Sequence, residues 1–103
     1  MSVIYEVNLQ ADPAIAADFA IWLRGHIDEM VALPGFVGAE ICREEKSGEL
    51  APAWSVRYHL SSRAALEDYF NNHAEQMRSQ GLERFGSQFT ASRRILEPLA
   101  GRG

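Results

Sequence analysis

Val3, Tyr5, Val7 and Leu9 alternate with Ile4, Glu6, Asn8 and Gln10, the two-residue period of a strand with one apolar and one largely polar face. Asp12-Pro13 then starts a helix. The carboxylate can accept from a free backbone N–H, and proline fits the first turn, where its missing donor costs nothing. Ile15, Phe19, Trp22, Leu23, His26, Met30 and Leu33 share roughly one side of that helix. Pro34-Gly35 ends it, because proline disfavours helical geometry at the residue before it. Phe36 to Glu45 reads as a second strand with Val37, Ala39 and Ile41 on one face and Glu40, Cys42 and Glu44 on the other. KSGELAPA is a polar hairpin connection around Gly48. Trp54, Val56, Tyr58 and Leu60 alternate with Ser55, Arg57 and His59 as a third strand of the first type.

Ser61 and Ser62 offer caps for a second helix from about Arg63 to Ser79. Its apolar face carries Leu66, Tyr69, Phe70, His73 and Met77 at helical spacing. Gly81 and Gly86 punctuate the chain, Leu82 to Phe85 add a short turn, and Gln88 to Leu96 close it as a fourth strand. The order βαββαβ predicts an α+β domain of the ferredoxin-like, split βαβ type: a four-stranded antiparallel sheet in the order 4-1-3-2 with two helices on one face. The domain spans residues 1–97, and 98–103 form a frayed tail. The strand parities put Ile4, Glu6, Asn8, Ser55, Arg57, His59, Thr90, Ser92 and Arg94 on the bare sheet face. That order sets Glu6 between Arg94 and Arg57.

Composition narrows the function classes. The 103 residues carry a net charge of -4, and no positive cluster beyond Arg93-Arg94 offers a phosphate-binding face, so nucleic acid is not an expected partner. The start lacks a basic leader region and no long apolar run occurs, which predicts a cytoplasmic chain without a membrane span. The one cysteine, Cys42, has no internal disulfide partner and reads as a reduced thiol. No phosphate loop or nucleophile elbow is present, since GLERFG has the wrong spacing and no lysine.

VIYEVNL, DFAIWLRGHIDEMVALPGF, WSVRY and YFNNHAEQMRSQGLERFGSQFTASRRIL together resemble a family of small bacterial proteins known as domain of unknown function 4286, over nearly the whole chain. That family looks like a member of the dimeric α/β-barrel group, whose subunits pair sheet to sheet. The resemblance implies a homodimer through the bare face, with Ile4, Glu6, Arg57, Arg94 and Leu96 at the interface. It implies no activity. Relatives by fold include cofactor-free monooxygenases, haem-degrading enzymes and small-ligand regulatory domains, an analogy of fold alone.

The sharpest chemical feature is a pair of histidines inside apolar stripes. His26 lies between Trp22 and Met30, and His73 between Tyr69 and Met77. Facing them, the sheet should present Tyr5, Trp54 and Tyr58, giving an aromatic-walled pocket with a few polar tips. His73 and His26 are the candidate proton-transfer residues. Tyr5, Trp22, Trp54, Tyr58, Tyr69 and Met77 are the candidate ligand contacts. The competing reading makes both imidazoles core residues satisfied by protein groups. A metal would need a third ligand, and Asp28, Glu29 and Glu75 point off the stripes, so neither metal nor cofactor is expected. Haem would use His73 as axial ligand by analogy, and nothing in the residues demands it. Two functions remain: a homodimer that binds, or does acid–base chemistry on, a small metabolite, resembling cofactor-independent monooxygenases if it is an enzyme; or a regulatory or interaction module in which the dimer is the functional unit.

Overall fold

The computed structural model describes residues 2–45 and 51–102. The described chain runs β1 (Val3–Ala11), a 3-10 turn (Pro13–Ile15), α1 (Ala16–Val31), β2 (Phe36–Arg43), β3 (Ala53–Leu60), α2 (Arg63–Asn72), α3 (Ala74–Phe85), a second 3-10 turn (Gly86–Gln88) and β4 (Phe89–Leu96). The strands form one antiparallel sheet in the order β2-β3-β1-β4, the expected order read from the other edge. Most of the hairpin connection expected around Gly48 lies at 46–50, outside the described residues.

Local chemistry fixes the element ends. The Asp12 carboxylate accepts from the Ala14 N–H at 2.9 Å, and Ser62 Oγ accepts from the Ala65 N–H at 3.1 Å, so the turn leading into α1 and the start of α2 each rest on an expected cap. At Pro34-Gly35 the glycine adopts φ 85°, a left-handed conformation that a side chain disfavours. Its carbonyl accepts from the Ser61 N–H at 2.9 Å, which ties the exit of α1 to the entry of α2.

The core lies between the sheet and the helices. Val3, Tyr5, Val7 and Leu9 of β1, and Trp54, Val56, Tyr58 and Leu60 of β3, meet Phe19, Leu23 and Met30 of α1 and Leu66 and Tyr69 of α2. The alternation read in β1 and β3 is therefore the alternation observed, because a strand packed on one side buries every second residue. Phe19 is fully buried, with its ring 5.1–5.6 Å from the rings of Trp22, Trp54, Phe85 and Phe89. Rings at such spacings add favourable quadrupole contacts to their burial.

Two expectations fail locally. Val37 is not on the core face of β2. The β2–β3 register shifts between Phe36 and Gly38, so Phe36 turns inward onto Tyr58 and Tyr69 while Val37 stands 71% exposed. The second helical segment is also not one helix to Ser79 with a turn after it. It breaks at His73, where φ −131° and ψ −29° leave the helical region, and then runs unbroken to Phe85. Asn71 and Asn72, just before the break, are weak helix formers, and the Asn72 side chain bonds back to Asp68 Oδ1 at 2.8 Å.

Candidate functional site

The cavity lies between the β1 and β4 side of the sheet and helices α1 and α3, and it has a volume of about 50 Å³. That is room for a few waters or a short apolar group. Tyr5, Tyr58, Trp22, Tyr69, Met77 and His26, all expected there, line it. Two expected residues lie elsewhere. The break before α3 carries His73 away from the stripe, and it borders a shallow surface depression with Phe70, Glu75 and Gln76. Trp54 sits further along β3, opposite Leu9, against Phe19 and a groove beside Ala16 and Ala20.

His26 is the imidazole the fold brings to the cavity. Its ring stacks on Trp22 with centroids 4.7 Å apart and planes 20° off parallel. Nδ1 lies 3.2 Å from Gln80 Oε1, while Gln80 Nε2 faces the Met77 sulfur at 3.8 Å. A carbonyl oxygen only accepts, so Nδ1 carries the proton and Nε2 of the neutral ring keeps a free lone pair. Burial lowers the proton affinity of His26 from its ordinary value near 6.5, against the opposing pull of the Gln80 bond and Glu29 and with the help of Arg93. The neutral, basic form therefore prevails at neutral pH. The folded state disfavours the proton, so stability is full above about pH 6.5 and falls below it, where the unfolded chain protonates first. His26→Gln should flatten that fall, measured by urea unfolding at a series of pH values; an unchanged slope would mean that other groups cause it.

Opposite the imidazole stand three tyrosines. Tyr5 and Tyr58 are register partners across β1 and β3, with rings 6.2 Å apart, and Tyr69 lies 5.7 Å from Tyr5. Burial raises the Tyr58 hydroxyl far above its usual range, and burial with the neighbouring Tyr5 moves Tyr69 up to about 12. Both stay protonated and able to donate. The Tyr5 hydroxyl accepts from Arg78 Nη2 at 3.1 Å.

The site also uses residues that the sequence reading passed over. Arg78 of α3 lines the cavity and Gln80, two residues further on, holds the His26 ring; both were hidden by the assumption of one uninterrupted helix. Arg93 occupies a core-facing place on β4, paired with Val7 between Ala91 and Ile95. The signal was present: on the inner face of β4, Phe89, Ala91, Arg93 and Ile95, one charge interrupts an apolar row. Gly81 lets α3 approach the rings, since a Cβ there would come within 3.1 Å of both Trp22 Cη2 and Phe89 Cζ.

On the sheet's other face the expected trio forms. Glu6, only 2% exposed, accepts from Arg94 Nε at 2.6 Å, from Arg57 Nε at 2.9 Å and from Asn8 Nδ2 at 3.0 Å. The Arg94 and Asn8 bonds hold its carboxyl down to about 2, overriding the opposing effect of burial. Ile4 and Leu96 are register partners on the same face.

No three His, Cys, Asp or Glu side chains among the described residues are placed to hold a metal ion. His73, the histidine a haem would use by analogy, lies outside this cavity. Among the described residues no helix is long and apolar enough to cross a membrane.

These features define an α+β, ferredoxin-like protein with the fold of small monooxygenases. The chain is similar in structure to a variant of SnoaB, a cofactor-independent oxygenase from Streptomyces nogalater, with 13% identity, 97% of this chain and 95% of that one covered, and a TM-score of 0.73. It is also similar to Rv0793 from Mycobacterium tuberculosis (16% identity, 100% of both chains, TM-score 0.68). A third similar structure is an ethyl tert-butyl ether d (ethd) family protein from Bacillus halodurans (13% identity, 94% and 99% covered, TM-score 0.68). At these identities the likeness is one of fold. A comparison with curated proteins gave no match. The profile of the family described as Domain of unknown function (DUF4286) matches residues 2–99, and the chain belongs to that family.

Proposed function

We propose that this protein is a cytoplasmic homodimer that binds a small metabolite with an apolar or aromatic body in the cavity beside His26, with His26 Nε2 as proton acceptor. The observation that carries the reading is the Gln80-held, neutral imidazole stacked on Trp22 and facing a space edged by tyrosine hydroxyls. A lone base positioned this way serves proton transfer without any cofactor. The likeness to a cofactor-independent oxygenase extends that chemistry by analogy of fold. His73, placed at the helix break, takes no part. Sheet-to-sheet pairing fits the open face, which no helix among the described residues covers and which carries Ile4, Leu96 and the Glu6 cluster. The exposed free thiol of Cys42 suits a reducing compartment.

A thermal-shift screen against small aromatic and apolar compounds tests the pocket, because a ligand that binds only the native state raises its apparent stability. Compounds that stabilise the wild type should lose their effect on His26→Phe and keep it on His73→Phe. Equal shifts in all three proteins, or none in the wild type, would remove the pocket reading. Gly81→Ala gives a second check. Alanine gains about 1 kcal/mol in a helix interior, and crowding of Trp22 and Phe89 costs a similar ~1 kcal/mol. Stability should therefore stay within about 1 kcal/mol of wild type while the ligand shift falls. A loss of several kcal/mol would show that the two rings cannot yield.

A further inference from the structure

Two guanidinium groups, Arg78 from α3 and Arg93 from β4, line the cavity, and no carboxylate does. In a chain of net charge -4 this local excess of positive charge runs against the whole. Arg78 is engaged with the Tyr5 hydroxyl at 3.1 Å and lies 6.0 Å from the centre of the Phe70 ring. Arg93 makes no hydrogen bond or ion pair through its side chain among the described residues, although it occupies a core-facing place on β4 between Ala91 and Ile95. Both arginines reach solvent, so they stand at the mouth, while Trp22, Leu23, Met30 and Met77 form apolar wall. A guanidinium placed at an otherwise apolar position is matched to a planar anion, which it holds by two parallel charge-assisted bonds.

Resting on the pocket reading above, we infer that the cavity takes a small monocarboxylate, its apolar tail inward against Trp22 and Met77 and its carboxylate held at the mouth by Arg93 with Arg78 beside it. The remaining polar groups agree with an anion. The Tyr58 and Tyr69 hydroxyls stay protonated and donate. The volume, about 50 Å³, restricts the enclosed part of the ligand to a short tail or the edge of one ring.

The test is calorimetric titration of the full chain at constant ionic strength with butyrate and benzoate, their neutral counterparts butyramide and benzamide, and inorganic phosphate. The acids should bind at least about tenfold more tightly than the amides, the scale of one charge-assisted interaction. Arg93→Gln should remove that preference and leave amide binding unchanged. Because Arg93 has no side-chain hydrogen-bond or ion-pair partner to strand among the described residues, the variant is expected to fold, and circular dichroism checks it. Carboxylate binding should also move the His26 ring titration upward by NMR, because it offsets the nearby guanidinium charge, whereas amide binding should not. Amides binding as well as acids, or Arg93→Gln retaining the preference, would overturn the carboxylate assignment and leave the pocket standing. Phosphate binding as tightly as benzoate would replace it with a site for anions in general. No binding by any probe would overturn both this inference and the pocket.

Discussion

Gly35→Ala is expected to lose about 3 kcal/mol of unfolding free energy. Gly35 holds φ 85°, and a Cβ built there would lie 2.5 Å from Ala65 Cβ. The left-handed conformation costs an L-residue about 1–2 kcal/mol. The overlap adds about 1–3 kcal/mol, because the atom it meets is fixed to the first turn of α2 and cannot swing away. A gain of about 0.4–1 kcal/mol from restricting the unfolded chain offsets part of this. Urea unfolding of Gly35→Ala, Ala65→Gly and the double variant separates the two costs. The double variant should recover the overlap part and keep the conformational part. A single variant within about 0.5 kcal/mol of wild type would mean that the turn relaxes freely.

That turn shows how far the sequence could be read. Pro34-Gly35 announces the end of α1 through local chemistry, and the helix does end there. That Gly35 must touch Ala65 depends on how α2 docks, which no local pattern specifies. The same division runs through the molecule. The strand order, the inner and outer faces of β1 and β3, and the meeting of Glu6 with Arg57 and Arg94 follow from period-two alternation and one topology. The break at His73 was not legible, because no Gly or Pro marks it and the apolar spacing continues across it from Tyr69 to Met77. With it went one of two candidate histidines, along with Arg78 and Gln80, whose faces depend on where α3 begins. Phe36 displaced Val37 from the core through a one-residue bulge, which leaves no signature in so short a strand. Arg93 is a different case, since its interruption of an apolar row was visible and was read only as half of a charged pair with Arg94.

Glu6→Ala is expected to cost about 2 kcal/mol in an isolated subunit and about 3 kcal/mol or more where a second sheet covers the face. The carboxylate is 2% exposed, yet the side chains over it, Arg57 and Arg94, are themselves 44% and 61% exposed. It lies under a lid of flexible cations and not inside the core, so solvent screens part of the attraction. Alanine removes four accepted bonds and leaves two like charges facing each other across β1. Glu6 holds its charge in the folded state down to about 2, below its ordinary 4.5, so its contribution is complete above about pH 5 and is lost as pH falls from 4.5 through 2. Glu6→Gln should be less stable than wild type at neutral pH and should lose less stability over that acid range. A dimer adds a further observable: the wild-type unfolding midpoint should rise with protein concentration, and the Glu6→Ala midpoint should rise less. Light scattering at micromolar concentration reads the same equilibrium directly. A Glu6→Ala protein as stable and as large in solution as wild type would deny the carboxylate any part in holding the two sheets together.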